Sequence, residues 1–200
     1  MIVEAIKEAK ELRFLSETHQ YFLGDVEVDH VTGVLEELGL SDYSHVPYQQ
    51  LEWAKKRGTA VHLACQYYDE GDLDESTLHP EVLPRLEAWK RFRSDSGFQA
   101  DPGGIERQVF SENHGLAGKI DRVGILDGPS IVDIKTSAML MKHWGLQLAA
   151  YEFLEGRFLK RYTVRVLEDG TYRVDRFRDP NDRRIFLAAL SVAQWKRLGR

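Results

Sequence analysis

The sequence predicts an α/β (α+β) chain, a mixed central β-sheet flanked by helices, and three observations carry that reading. Segments of helical period come early, three strand-like runs then follow in close succession, and a helix separates those runs from a further pair of strands. At 200 residues the chain is long enough for one good core and too short for two full domains. A single domain is therefore expected over residues 1–200, with 1–50 as a hairpin-and-helix decoration, 51–178 as the core and 179–200 as a C-terminal helix.

The elements follow in order. "LRFLSETHQYFLGDVEVDHVTGVLEELGL" begins with alternating and aromatic residues around a Gly24-Asp25 turn and shifts to helical spacing at Val34, Leu35 and Leu38, which predicts a hairpin and a short helix. "VPYQQLEWAKKRGTAVHLACQYYDEG" carries Leu51, Ala54, Gly58, Val61, His62 and Cys65 at spacings near three and four before Gly71, a helix interrupted at Gly58. "HPEVLPRLEAWKRFRSDSGF" repeats the helical period through Val82, Leu86, Trp89 and Phe92, and "SDSGFQADPGG" reads as a loop. The strands "IERQVF", "LAGKIDRVGIL" and "SIVDIKT" are separated by turn signals at 113–115 and 127–129. A helix from Lys142 to Phe158, a hairpin turning at Asp169-Gly170 and an amphipathic helix from Asp182 to Leu198 complete the chain.

Composition narrows the function classes. The single cysteine, Cys65, excludes an internal disulfide, a CxxC redox pair and a cysteine-held iron–sulfur cluster, and reads as a buried thiol. No run approaches the roughly 18 apolar residues of a membrane span, and the first segment lacks the apolar core of a signal peptide, so no membrane partner and a cytoplasmic location are expected. A net charge of −5 argues against nonspecific coating of nucleic acid. The charge is uneven, however: residues 157–200 hold twelve Lys/Arg against five Asp/Glu, an excess of +7, which leaves −12 on the first 156. Such a basic tail permits a phosphate-binding face, and charged, solvated helices alone would produce the same asymmetry.

The chemistry concentrates in "GKIDRVGILDGPSIVDIKTS", residues 118–137. Ionised Asp121 and Asp133 in apolar strands require paired charge, strong hydrogen bonds or a metal. The turn at 127–129 brings the two carboxylates towards each other, and a divalent cation with oxygen ligands relieves their repulsion. Lys135 shares a strand face with Asp133, where an amine can hold, orient or deprotonate a metal-held water and stabilise charge developing on a phosphate. Ile134 points its side chain away and leaves its backbone carbonyl as a further hard oxygen. A surface Asp–Lys pair on an edge strand would account for "VDIK" alone.

Other residues supply the company. His62 lies on the helical stripe with Val61 and Cys65, and Glu106 is the first acid of the strand preceding Asp121. Gln147 and Tyr151, four residues apart, share one helical face and offer hydrogen bonds to phosphate or sugar and stacking on a base. Lys55, Lys56 and Arg57 form one basic cluster and Arg85 to Arg93 a second, either able to guide a phosphate backbone.

In this order, GxxxH (Gly58 to His62), a Glu-bearing strand (Glu106), GxxD (Gly118 to Asp121), DxK (Asp133 to Lys135) and QxxxY (Gln147 to Tyr151) form a pattern that resembles the PD-(D/E)XK nuclease superfamily, in its RecB-like, phage-type exonuclease branch. The resemblance implies a mixed-sheet nuclease core in which His62, Asp121, Asp133 and the Ile134 carbonyl bind one or two Mg²⁺ or Mn²⁺ ions. It implies Lys135 as the catalytic lysine, with Glu106 an accessory acid. Gln147 and Tyr151 would steady the DNA strand or the lysine. The implied activity is DNA exonucleolysis leaving 5′-phosphates, in recombination, repair or phage DNA processing in a bacterial or phage-infected cell. The substrate would be a DNA end or single strand, with a recombination or helicase protein as a possible partner and an oligomer as a possible assembly. A structure-specific endonuclease with the same site and a noncatalytic DNA-binding module are the alternatives. Relatives with an iron–sulfur cluster use four cysteines, which this chain lacks, and no GxxxxGK[ST] loop is present for an unwinding motor.

Overall fold

In the computed structural model, which describes residues 12–15 and 18–198, a mixed open sheet of eight strands is flanked by five α-helices. Strands β1 (Leu12–Leu15), β2 (Gln20–Leu23) and β3 (Val26–His30) form an antiparallel meander, with Leu23 paired to Val26 across the expected Gly24-Asp25 turn. Gly24 has φ 60°, which glycine adopts without steric cost. The meander joins the rest of the sheet where Asp29 and His30 pair in parallel with Leu116 and Ala117.

Helix α1 (Val31–Glu37) starts directly from β3 and is capped by His30, whose Nδ1 accepts from the Gly33 N–H at 3.1 Å. Only a neutral imidazole can accept there. Burial, and then the field of His19, push the His30 imidazole down to about 4. The folded value lies below the ordinary 6.5, so the unfolded chain binds the proton more readily. The contribution to stability is therefore complete above pH 6.5 and is lost as the pH falls through the window down to about 4. Between these limits the parent should lose about 1–3 kcal/mol more than His30→Asn, which keeps a capping acceptor without the titration. Denaturation at a series of pH values tests this, and parallel curves would refute it.

Helix α2 (Tyr48–Glu70) runs without interruption through Gly58, contrary to the break expected there. Its apolar contacts outweigh one poor helix former, and it ends at Gly71, where φ 78° closes the last turn. Helix α3 (Leu83–Ser96) follows, with Pro84 in its first turn and Gly97 beyond its end.

Strand β4 (Gln99–Ser111) begins well before "IERQVF", because the expected loop pairs with the sheet at Gln99 and Ala100 before a bulge carries the chain to Ile105. It lies antiparallel to β5 (Leu116–Ile125), which turns at 127–129 into β6 (Pro129–Lys135). Helix α4 (His143–Glu155) stops at left-handed Gly156, short of the expected Phe158. It crosses over to β7 (Lys160–Val166), parallel to β6, and β8 (Tyr172–Phe177) pairs antiparallel to β7. Helix α5 (Asn181–Leu198) ends the described chain.

The sheet is covered on both faces. One core joins Val34 and Leu35 of α1, Ile120 and Ile131 of the strands, Leu148 of α4 and Phe186 and Leu190 of α5. The other joins Val61 and Cys65 of α2, Trp89 and Phe92 of α3, and Val132, Ile134 and Val164 of the strands. Cys65 is the buried thiol expected. Part of the positive charge of the last segment is met within it, Arg161 by Asp182 and Arg165 by Asp175, and part by the body, Lys160 by Asp127 and Arg197 by Asp29 and Glu37. Among the described residues, no helix is long and apolar enough to cross a membrane.

Candidate metal centre and groove

Strand β5 pairs with β4 along one edge, so β3 and β6 share the other. On that shared edge β3 takes Leu116 and Ala117, and β6 takes Arg122 to Ile125. The intervening stretch of β5 opens as a fork. The register pairs Arg122 with Val132, so Asp121 and Asp133 face each other at the next step, where the ladder ends. Instead of a backbone carbonyl, the Asp121 carboxylate takes the Ile134 N–H, at 2.7 Å. A strand residue's N–H and C=O lie on one edge, so the Ile134 carbonyl named from sequence opens onto the same fork.

Asp121 also lies 3.4 Å from Nδ1 of His62, which α2 brings over the fork. Glu106 comes from the other side. Ile105 pairs with Arg122 and Arg107 with Ile120, which sets Glu106 opposite Asp121, at φ 48°, a left-handed conformation that non-glycine residues hold at a cost of roughly 1–3 kcal/mol. His62, Glu106 and Asp121 each offer a ligand atom within 4.8 Å of the others, and this group could hold a metal ion. Burial would push the Asp121 carboxyl up, but His62, Lys135 and the Ile134 N–H outweigh it and hold that carboxyl well below the usual range. Burial would likewise push the His62 imidazole down, and Asp121, with Glu106 and Asp133, more than offsets it.

Asp133 lies outside that group, on the strand facing Asp121. Residues alternate across a strand: Val132 and Ile134 face α2 and α3, so Asp133 and Lys135 face α4. There Lys135 Nζ sits 2.7 Å from Asp133 Oδ2 and donates to Gln147 Oε1 at 3.0 Å. The Gln147 amide donates to Tyr151 Oη at 3.2 Å and reaches Asp133 Oδ1 at 3.4 Å. Burial, followed by the field of Asp121, raises the Asp133 carboxyl to about 6 against the opposing pull of Lys135.

Gln147 and Tyr151 are both buried, and Gln147 alone of the two lines the groove over Lys135. They orient the lysine. Gly118 has a role in this packing, because a Cβ there would lie 2.8 Å from Tyr151 Cε1.

A groove of about 1400 Å³ opens over Lys135 and His62 and is bounded by Lys55, Arg57, Arg85 and Trp144, among others. Lys56, the middle of the first basic cluster, does not border it. The second basic cluster is largely engaged: Lys90 pairs with Glu75 and Glu87, and Arg93 with Asp69. Only Arg85 of that cluster reaches the groove.

Sequence reasoning missed the charges behind Glu106. Arg122 is fully buried, and its Nε lies 2.6 Å from Asp69 Oδ2 and its Nη1 3.1 Å from Glu106 Oε1. Asp69 also accepts from Trp89 Nε1 at 3.1 Å and from Arg93, while Lys119 holds Glu106 Oε2 at 2.6 Å. The available signals were a charge beside Asp121 in an apolar strand and an acid two turns beyond His62 on the same helical stripe. His143 and Trp144 were missed as well; Lys135 Nζ stands 5.5 Å from the Trp144 ring centroid.

No family model matches the chain, and no curated protein matches it.

Proposed function

We propose that the chain is a metal-dependent deoxyribonuclease of the PD-(D/E)XK type, acting as a DNA exonuclease that leaves 5′-phosphates. One observation supports this most: the strand fork sets the group His62, Glu106 and Asp121 next to a half-buried lysine whose ammonium is held by Asp133 and Gln147, at the edge of a groove. In this reading His62, Glu106 and Asp121 hold the ion. One imidazole among carboxylates suits Mn²⁺ as well as Mg²⁺. When bound, the ion supplies Lewis-acid polarisation of the phosphate and acidification of water.

The remaining work falls to the chain. An ammonium has three donors, and Asp133 and Gln147 engage two directions, which leaves Lys135 one donor for the groove. That donor holds the attacking water and neutralises charge growing on a phosphoryl oxygen. Gln147 cannot rotate without breaking its contacts to Asp133 and Tyr151, so it fixes the direction of the lysine. Arg122 and Lys119 fix Glu106 opposite Asp121. Any strand-separating motor would be a partner protein.

Linear and covalently closed circular DNA, incubated with Mn²⁺, test the reading. Loss of the linear form with the circle intact is expected. Nicking or loss of the circle would convert the proposal to an endonuclease, and failure to cut either DNA with Mg²⁺ or Mn²⁺ would leave a noncatalytic DNA-binding module. Asp121→Ala should weaken Mn²⁺ binding by about 100-fold or more, measured by calorimetry on protein shown to be folded. Parental affinity would remove Asp121 from the ligand set.

A further inference from the structure

The groove wall carries two guanidiniums that the proposed chemistry does not use. Arg57, in α2, lies over Trp53 with its guanidinium carbon 4.3 Å from the ring centroid. It makes no hydrogen bond or ion pair among the described residues, and its Nε is buried without a partner. Arg85, in α3, is 5% exposed. Its Nη1 donates to the Glu81 carbonyl at 2.9 Å and its Nη2 stands 3.6 Å from Glu168 Oε2, but its Nε is also buried and unpartnered.

These cations feel each other. Burial, and then the field of Arg85, lower the proton affinity of Arg57, opposed by Glu81 and Glu168. Each buried donor left unpaired costs about 1–3 kcal/mol, and the repulsion between two cations lining one groove adds to that. An oxyanion removes both penalties, because it accepts from the free donors and neutralises the pair. Guanidinium forks match the oxygens of phosphate. Glu168, with its side chain 85% exposed in the turn between β7 and β8, makes only a loose contact to Arg85, which an anion can displace.

We propose that Arg57 and Arg85 form a phosphate subsite in the groove wall that holds a phosphate of the DNA strand, an inference that rests on the nuclease reading above. The pair anchors the strand, and the fork at Asp121 remains the place of chemistry.

Fluorescence anisotropy of single-stranded oligonucleotides, with and without a 5′-phosphate, over a salt series without divalent metal, tests the subsite. Arg57→Gln and Arg85→Gln should each weaken binding about tenfold and reduce the salt slope by about 0.7. Equal loss on both oligonucleotides assigns an internal phosphate, and loss confined to the phosphorylated one assigns a terminal phosphate. Parental affinity and slope in Arg57→Gln overturn the proposal. Arg57 has no hydrogen bond or ion pair among the described residues to lose, only its contact with the Trp53 ring, so this variant decides the matter even where Arg85→Gln unfolds. Inorganic phosphate should also raise the melting temperature of the parent more than that of Arg57→Gln. A parent that cuts DNA with a salt slope indifferent to both arginines sinks the subsite alone. A parent that binds DNA and phosphate through them but cuts no DNA sinks the nuclease reading alone, and one that does not bind DNA sinks both.

Discussion

Lys135→Ala is expected to slow DNA cleavage by about 10²–10⁴-fold while Mn²⁺ and DNA affinities stay near those of the parent. The ammonium lies outside the group His62, Glu106 and Asp121, so its removal leaves the metal donors in place. Its loss also leaves Asp133 buried without its cation, and a thermal melt must accompany the assay. Lys135→Arg keeps the charge but brings a planar fork to a place shaped for a point charge, and should restore little. Gln147→Ala should cost less, about tenfold, since Asp133 still holds the lysine. Metal-dependent single-turnover assays on the parent and the three variants separate these effects. Cleavage by Lys135→Ala at the parental rate would remove the lysine from the chemistry, whatever the fate of the metal site.

That assay tests the part of the site that was most legible in the sequence. Two carboxylates and a lysine in apolar strands, separated by a tight turn, announce a polar centre wherever the strands pair, and Asp121 does face Asp133 across the end of the β5–β6 ladder. The alternation along β6 decides what the sequence could not: Asp133 shares the α4 face with Lys135, and Asp121 turns to α2. Which carboxylate meets His62 depends on where the ladder stops, a matter of a single register step. Glu106 was the weakest candidate from its alternating strand, yet the register places it opposite Asp121.

Fold class and helix positions were legible because the apolar period and the breaker Gly71 mark them, although that period alone carried the fourth helix past its stop at Gly156. The early start of β4 was not, because "FQADPGG" reads as turn chemistry and its pairing depends on a neighbouring strand. Tertiary context also overrode Gly58, where a helix of 23 residues continues through the expected break. Tyr151 depends on context in the same way: at helical spacing from Gln147 it could stack on a base or pack into an ordinary amphipathic helix, and Gly118 lets the ring pack directly onto β5.

Asp69→Ala should destabilise the protein by about 3–5 kcal/mol, the largest stability effect expected of any single substitution in the site. Asp69 lies at the centre of the buried network, with its side chain enclosed and in contact with Arg122, Arg93 and Trp89. Removing it leaves the guanidinium of Arg122, which is fully buried, with Glu106 as its remaining carboxylate. Most of the cost is that stranded charge rather than the lost attraction. Asp69→Leu combined with Arg122→Met should therefore recover much of the stability lost by Asp69→Ala, because both charges leave together. The metal site should not recover with it. Glu106 would keep Lys119 but lose the Arg122 contact that sets its position opposite Asp121, so Mn²⁺ affinity in the double variant should stay about 10–100-fold below the parent. Chemical denaturation and Mn²⁺ calorimetry on the same preparations read the two effects separately. Recovery of both together would show that Arg122 only balances charge, and failure of stability to recover would show that the network stabilises the fold through its hydrogen bonds to Trp89 and the Asp121 carbonyl.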